Sequence, residues 1–119
     1  MNIMLIDDDI ACLDGLMAVL EPAGYQCDPF DRPDLAVAAY DDRYDVVISD
    51  VRMPLLDGLE VTRAIRMKNP GANVVLVTGH SSQSLSCLMN ENMVSACFEK
   101  PINIRELLLY LENIKPLGS

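Results

Sequence analysis

Residues 45–50 read Asp-Val-Val-Ile-Ser-Asp, an apolar run that ends in an acidic side chain. Comparable apolar runs occupy residues 2–6 and 73–77. Because a strand covered by helices on both faces has no polar side, such runs are typical of buried strands in a parallel sheet. With two weaker runs they predict five strands, Asn2 to Ile6, Tyr25 to Cys27, Asp45 to Ser49, Asn73 to Val77 and Ala96 to Glu99.

Segments with a helical spacing of apolar residues separate these strands. Strands that alternate with helices predict the α/β class, here a doubly wound five-stranded parallel sheet with helices on both faces. Gln26 and Asp28 make the second strand polar, as is typical of an edge, and this favours the strand order 2-1-3-4-5. We predict five helices, Ile10 to Leu20, Leu35 to Tyr40, Leu59 to Ile65, Leu85 to Met89 and Ile104 to Leu111.

The composition limits the classes of function. The chain has 119 residues, 18 acidic and 9 basic, and a formal net charge of −9. This length predicts one domain over residues 1–115, with 116–119 as a tail or the start of a linker. An acidic domain repels phosphate backbones, so we expect no direct nucleic-acid contact.

A spanning helix needs about 20 apolar residues, and the first apolar stretch has no basic flank of a signal peptide. We therefore expect no membrane insertion and a cytoplasmic location.

Polar side chains follow the carboxyl ends of four predicted strands. Asp7 and Asp8 come after the first strand, Asp50 after the third, Thr78 after the fourth and Lys100 after the fifth. In an open parallel sheet, ligands bind outside the carboxyl ends of the strands, where the strand order reverses. We therefore expect these five side chains to lie together at one edge of the sheet.

The chemistry of this group indicates phosphoryl transfer. Three neighbouring carboxylates repel one another unless a cation is present, and Mg²⁺ prefers oxygen ligands completed by water and phosphate oxygens. Asp7 and Asp8 are expected to hold the metal. A carboxylate can attack a phosphoryl group when a metal and an ammonium offset its charge. Asp50 is the predicted phosphoacceptor, with Lys100 supplying the ammonium and the Thr78 hydroxyl donating to a phosphoryl oxygen.

These residues resemble the motifs of the response-regulator receiver domain of two-component signalling, over essentially the whole chain. The matching segments are Asp7-Asp8, Asp50 to Pro54, Asp57-Gly58, Val77-Thr78-Gly79 and Lys100-Pro101. Residues 49–58 are most similar to receivers of sigma-54-dependent transcriptional activators. The resemblance implies the flavodoxin-like receiver fold, and the strand order 2-1-3-4-5 rests on this resemblance as well as on the polarity of the second strand.

The same resemblance implies a phosphorylation switch. Asp50 would take a phosphoryl group from a sensor histidine kinase, with Mg²⁺ held by Asp8, Asp50 and the Arg52 backbone carbonyl, and with Asp7 acting largely through water. Signalling would use the face of the predicted fourth helix, the fifth strand and the last helix. That face would contact an output domain or a homodimer partner and, in a full-length regulator, control transcription. The only catalysis would be the domain's own phosphorylation and dephosphorylation.

One position departs from the family pattern, and two alternative functions stay open. Cys97 stands where receivers usually carry Tyr or Phe, and the neighbouring Phe98 must point to the opposite face of its strand. The chain could therefore be a receiver-like module that binds its partner whether or not Asp50 is modified. Alternatively, Asp7 could be the nucleophile of a phosphohydrolase acting on small phosphate esters.

Overall fold

A computed structural model of the chain describes residues 1–79 and 94–114. Over these residues it contains five strands, β1 Asn2–Ile6, β2 Gln26–Phe30, β3 Val46–Asp50, β4 Val74–Thr78 and β5 Ala96–Glu99. The described helices, numbered in chain order, are α1 Ile10–Leu20, α2 Pro33–Ala39, α3 Gly58–Lys68 and α4 Ile104–Asn113. None of these helices is long and apolar enough to cross a membrane.

The helix count differs from the prediction. The sequence predicted five helices, and the structure describes four. The remaining predicted helix, Leu85 to Met89, and the predicted tail 116–119 lie outside the described residues.

The strands form one parallel sheet in the order β2-β1-β3-β4-β5, which confirms the predicted topology. The order reverses at β1 and β3, and the register aligns the carboxyl ends of the strands. Asp50 pairs with Val77, and Thr78 pairs with Glu99. The third and fourth predicted strands stopped at Ser49 and Val77, whereas β3 and β4 each continue through one further polar residue, Asp50 and Thr78. The ladder depends on backbone groups, so a polar side chain at a strand end does not interrupt it.

The edge strand β2 accommodates a proline. The Gln26 N–H donates to the Met1 carbonyl, and the Asp7 N–H donates to the Phe30 carbonyl. These bonds show that the even-numbered residues of β2 face β1, so the backbone of Pro29 faces the outer edge. The missing N–H of Pro29 costs no ladder bond there, and it removes one of the donors that the outer edge would offer to an added strand.

Two layers of helices cover the sheet. Helices α2 and α3 pack on one face through Ala36, Val61 and Ile65. Helices α1 and α4 pack on the other face, through side chains that include Leu13 and Leu107. Cys97 contacts the first core cluster and Phe98 the second, which confirms that their side chains point to opposite faces.

Gly15 provides a test of helix energetics. It lies inside α1, where an added Cβ would meet nothing within 4 Å. Glycine in a helix interior costs roughly 0.5–1 kcal/mol relative to alanine. Gly15→Ala is therefore expected to raise the free energy of unfolding by a similar amount in urea denaturation. Gly24→Ala is the matched control, since Gly24 has a φ of 100° and alanine is strained there. Destabilisation by Gly15→Ala would contradict the placement of Gly15 in a helix interior with open space around an added Cβ.

Candidate functional site

The carboxyl ends of β1, β3 and β5 bring four charged side chains together. Asp7 follows β1, Asp50 ends β3 and Lys100 follows β5. The Lys100 Nζ lies 3.1 Å from Asp7 Oδ2 and 3.4 Å from Asp50 Oδ2. Asp7, Asp8 and Asp50 each place a carboxylate oxygen within 4.8 Å of the other two. The structure thus clusters the three predicted acidic residues with the predicted lysine.

Backbone amides orient two of these carboxylates. The Asp9 N–H donates to Asp7 Oδ1 at 2.9 Å, and the Val51 N–H donates to Asp50 Oδ1 at 2.8 Å. Each of the two carboxylates therefore uses one oxygen for the backbone and presents the other to Lys100. The Asp50 side chain is only 13% exposed, whereas Asp8 is exposed. Asp50 is held in a fixed orientation inside the pocket, with Asp8 at its entrance.

The electrostatics of the cluster leave a place for a further cation. Burial and the charge of Asp7 raise the pKa of Asp50, although Lys100 and the Val51 N–H oppose the rise. Burial alone would lower the pKa of Lys100, but the hydrogen bond and charge of Asp7 and the charge of Asp50 outweigh it, so the pKa of Lys100 is raised. Lys100 therefore remains an ammonium near neutral pH. Three carboxylates still face one ammonium, and the excess negative charge favours a bound cation.

Thr78 and Arg52 lie beside the cluster in different environments. Thr78 is buried, and its backbone carbonyl accepts a hydrogen bond from the Lys100 N–H at 2.7 Å. Since Asp50 pairs with Val77, Thr78 is one position beyond Asp50 on the neighbouring strand. Arg52 is exposed in the segment after β3. Metal ligation by its backbone carbonyl stays a prediction.

Gly58 brings the start of α3 against the end of β3. Its N–H donates to the Val51 carbonyl at 2.7 Å. An added Cβ at this position would lie 2.7 Å from the Asp50 carbonyl oxygen and 2.9 Å from the Val51 Cα. Only glycine allows this approach without moving the backbone. In the sequence Asp57-Gly58 is one of the segments that match the family motifs, but the contact itself depends on how α3 packs on β3.

The loop between β3 and α3 also contains a strained turn. Leu55 has a φ of 75°, and the Leu56 N–H donates across it to the Pro54 carbonyl at 2.9 Å. This is a γ-turn of the rare, strained kind. Leu55 is 67% exposed, so burial of its side chain does not explain the strain. The sequence has no glycine at this position to indicate a left-handed residue.

Sequence reasoning also missed Cys12. Its Sγ lies 4.0 Å from the Lys100 Nζ and 3.5 Å from Asp9 Oδ2. It lines a cavity of about 320 Å³ that reaches Asp7, Asp50 and Lys100. Burial raises the pKa of the Cys12 thiol, so the thiol stays protonated near neutral pH although Lys100 opposes the shift. Cys12 follows Asp9 by three residues, which is about one helical turn. This spacing is the sequence feature that indicates a position on the side of α1 that faces the site.

The fold and the site define a class, α/β domains that bind their ligand where the strand order reverses. The family model for the response regulator receiver domain matches residues 3–112, and the chain belongs to this family. Receiver domains are signalling switches of two-component systems rather than classical enzymes. Phosphorylation on Asp and use of Mg²⁺ are typical of the family.

Relatives in sequence are regulators of greater length. The chain is 29% identical over 111 residues to the DNA-binding transcriptional regulator NtrC of Salmonella typhimurium, covering 92% of this chain and 24% of that protein. It is 30% identical over 113 residues to the transcriptional regulatory protein FixJ of Bradyrhizobium diazoefficiens, covering 94% of this chain and 55% of that protein. The chain therefore spans between a quarter and about half of the length of these relatives.

Solved structures of receiver domains superpose over nearly the whole chain. The chemotaxis protein CheY4 of Vibrio cholerae matches with a TM-score of 0.85 and 26% identity, covering 96% of this chain and 98% of that chain. The response regulator TrrA of Thermotoga maritima, in complex with Mg²⁺ and BeF, matches with a TM-score of 0.84 and 28% identity, covering 96% and 98%. These matches confirm the flavodoxin-like receiver fold.

The close approach at Gly58 predicts a large effect for a small change. Gly58→Ala is expected to lower the free energy of unfolding by about 1–3 kcal/mol, because the added methyl group overpacks against backbone. Urea denaturation measures this change, and Gly15→Ala is the control in which the same methyl group meets open space. Equal stability of Gly58→Ala and the wild type would contradict the contact.

The raised pKa of Asp50 predicts that removal of its charge increases the free energy of unfolding, and that the size of this increase depends on pH. Because the folded-state pKa lies above the unfolded value, ionised Asp50 destabilises the fold, and this penalty is lost as pH falls through the folded pKa. Asp50→Asn should raise the free energy of unfolding at pH 7 by more than the roughly 0.5 kcal/mol of a neutral surface change. The gain should shrink on acidification.

Urea denaturation across a pH series with a chelator present tests this expectation. Asp42→Asn, at an exposed carboxylate, is the matched control and should leave stability nearly unchanged. A gain for Asp50→Asn that grows as the pH is lowered would show that the sign is wrong.

Proposed function

We propose that the chain is a phosphorylation-activated receiver domain in which Asp50 accepts a phosphoryl group from a sensor histidine kinase in a Mg²⁺-dependent reaction. The main support is the orientation of Asp50. One of its oxygens is fixed by the Val51 N–H, and the other lies 3.4 Å from the Lys100 ammonium. Asp7 and Asp8 supply the neighbouring carboxylate oxygens. Phosphoryl transfer to a carboxylate needs a nucleophile in a fixed orientation, an ammonium group and oxygen ligands for a metal ion.

The carboxylate cluster fits Mg²⁺ by the chemistry of its donors. Mg²⁺ takes oxygen ligands, commonly one or two carboxylates together with water and phosphate oxygens. We assign Asp8, Asp50 and the backbone carbonyl of Arg52 as its ligands, with Asp7 acting largely through water. When bound, the ion offsets negative charge on the phosphoryl oxygens. The excess of carboxylates over ammonium groups supports this assignment.

The side chains then have distinct roles in the transfer. A carboxylate oxygen of Asp50 attacks phosphorus, an O–P bond forms, and the N–P bond to the kinase histidine breaks and releases its imidazole. Lys100 exchanges part of its pairing with Asp50 for a phosphoryl oxygen. The Thr78 hydroxyl donates to another phosphoryl oxygen. The backbone N–H of Lys100 donates to the Thr78 carbonyl, so a phosphoryl group that contacts both side chains affects the ends of β4 and β5 together.

The signal would leave the site through β4 and β5. The output face combines β5 and α4 with the predicted helix Leu85 to Met89, which lies outside the described residues. An output domain or a homodimer partner would bind this face, and a full-length regulator would control transcription, as the names of NtrC and FixJ indicate for those proteins.

Cytoplasmic location is typical of response regulators, and we extend it to this chain. The net charge of −9 supports an indirect role in DNA binding.

Cys97 favours a second candidate, a receiver-like module that binds its partner independently of phosphorylation. Its side chain packs among the α2 and α3 core residues on the face opposite Phe98. A thiol there has no ring to turn inward when Thr78 moves. The two candidates differ in whether modification of Asp50 changes the affinity for the partner.

Intact-protein mass spectrometry after incubation with acetyl phosphate tests the main proposal. Wild type is expected to gain one phosphoryl adduct that requires Mg²⁺ and disappears with a chelator. Asp50→Asn should remain unmodified because the nucleophilic oxygen is lost, and Asp42→Asn is the control that keeps the adduct. An adduct on Asp50→Asn would overturn the assignment of the acceptor.

Further outcomes separate the alternatives. Sustained hydrolysis of small phosphate esters that is lost in Asp7→Asn would establish the phosphohydrolase. An Asp50 adduct that leaves partner affinity unchanged in a binding titration would establish the phosphorylation-independent module.

A further inference from the structure

A cavity of about 320 Å³ extends from the carboxylate cluster into the layer formed by α1 and α4. Apolar side chains from the sheet, from α1 and from the segment after β5 form most of its walls: Leu13, Leu16, Ile48, Val77, Ile102 and Ile104. Sites that take small molecules have volumes of about 300–1,000 Å³ and mainly apolar walls, with a few polar groups that fix the ligand. The α1–α4 cavity, as we call it, therefore has the size and lining of a site for a small organic molecule.

The charged groups of the α1–α4 cavity lie together at one end. Asp7, Asp50 and Lys100 line that end, and the two carboxylates share the single ammonium. Asp8 adds a third carboxylate, with an oxygen within 4.8 Å of the other two. The cavity thus combines apolar walls with an excess of negative charge at one end. A ligand with an apolar body and one cationic group is complementary to this distribution.

Gly15 lies where the α1–α4 cavity meets solvent. It lines the cavity, it is exposed, and an added Cβ there would meet nothing within 4 Å. Glycine is less favourable than alanine in a helix interior, and no close contact requires glycine at this position, in contrast to Gly58. Functional sites commonly reduce stability in this way. An entrance that stays open for a ligand accounts for a glycine inside α1.

We propose that the α1–α4 cavity binds a small organic amine, with its alkyl or aryl body between the apolar walls and its ammonium paired with Asp50 and Asp7. Such an amine is protonated near neutral pH, as the lysine side chain is. Its charge adds to that of Lys100 and relieves the repulsion among the carboxylates. An anionic ligand would pair with Lys100 but face the carboxylates, and a neutral ligand would leave their excess charge unbalanced. The inference concerns the unmodified chain and does not require phosphoryl transfer.

Isothermal titration calorimetry with phenethylamine tests the proposal on the full chain at physiological salt, which screens non-specific attraction to an acidic protein. A chelator is present and no phosphodonor is added, so the result is separate from the test of the proposed function. Three matched probes are phenethyl alcohol, which lacks the charge, phenylpropionate, which reverses it, and methylamine, which lacks the apolar body. Phenethylamine is expected to bind about tenfold more tightly than each of them, or about 1.4 kcal/mol.

Variants of the chain locate the ligand. Gly15→Leu is expected to weaken phenethylamine binding about tenfold, because the added side chain occupies the entrance of the cavity. Ala18→Leu is the matched control, since it places the same side chain at an exposed position of α1 that does not line the cavity. Asp50→Asn should also weaken binding, whereas Asp42→Asn, at an exposed carboxylate, should not. Circular dichroism confirms that each variant is folded.

Selective binding of phenethylamine that is weakened by Gly15→Leu and Asp50→Asn, and kept in both controls, supports the proposal. Equal affinity for phenethyl alcohol would define a site for neutral apolar molecules, and tighter binding of phenylpropionate would assign recognition to Lys100. Either result would overturn the proposed class of ligand. Methylamine that binds as tightly as phenethylamine would show that the apolar walls contribute nothing. That result, binding unaffected by Gly15→Leu, or no binding of phenethylamine would overturn the site itself.

Discussion

The ammonium of Lys100 joins three strands that do not follow one another in sequence. Lys100 extends β5, and its Nζ pairs with carboxylates at the ends of β1 and β3. Buried charges are tolerated when they are paired and hydrogen-bonded, and here the Asp9 and Val51 amides complete the pairing. Without this cation, three carboxylates within 4.8 Å would face one another alone at the edge of the sheet. The geometry of the site therefore depends on the position of β5.

The pairing is incomplete, and this has a functional consequence. One ammonium cannot neutralise three carboxylates, and burial together with Asp7 still raises the pKa of Asp50. The folded domain retains repulsion that a metal ion or a rearranged lysine relieves. Sites arranged for ligand binding commonly reduce stability in this way. The same repulsion that lowers the stability of the unliganded domain favours the binding of a cation.

The sequence was sufficient for the sheet and for the charged residues of the site. Apolar runs marked buried strands, and the rule that ligands bind at their carboxyl ends grouped Asp7, Asp8, Asp50 and Lys100. Features that depend on tertiary contact were not predictable. Gly58 was visible only as part of the matching segment Asp57-Gly58, because its approach to the Asp50 carbonyl requires the packing of α3 on β3. The strained turn at Leu55 has no residue signature, and the proximity of Cys12 to Lys100 requires the placement of β5.

Three described helices begin beside the site. Asp9 caps α1 two residues after Asp7, α3 begins at Gly58 against the Asp50 carbonyl, and Asn103 caps α4 shortly after Lys100. The amino end of a helix carries a partial positive charge, so these helix starts favour acidic groups at this edge of the sheet. They also connect the site to both layers, since α1 and α4 cover one face and α3 the other. A change of charge at Asp50 therefore acts on helix ends in both layers, and the response need not pass through the side chain at position 97.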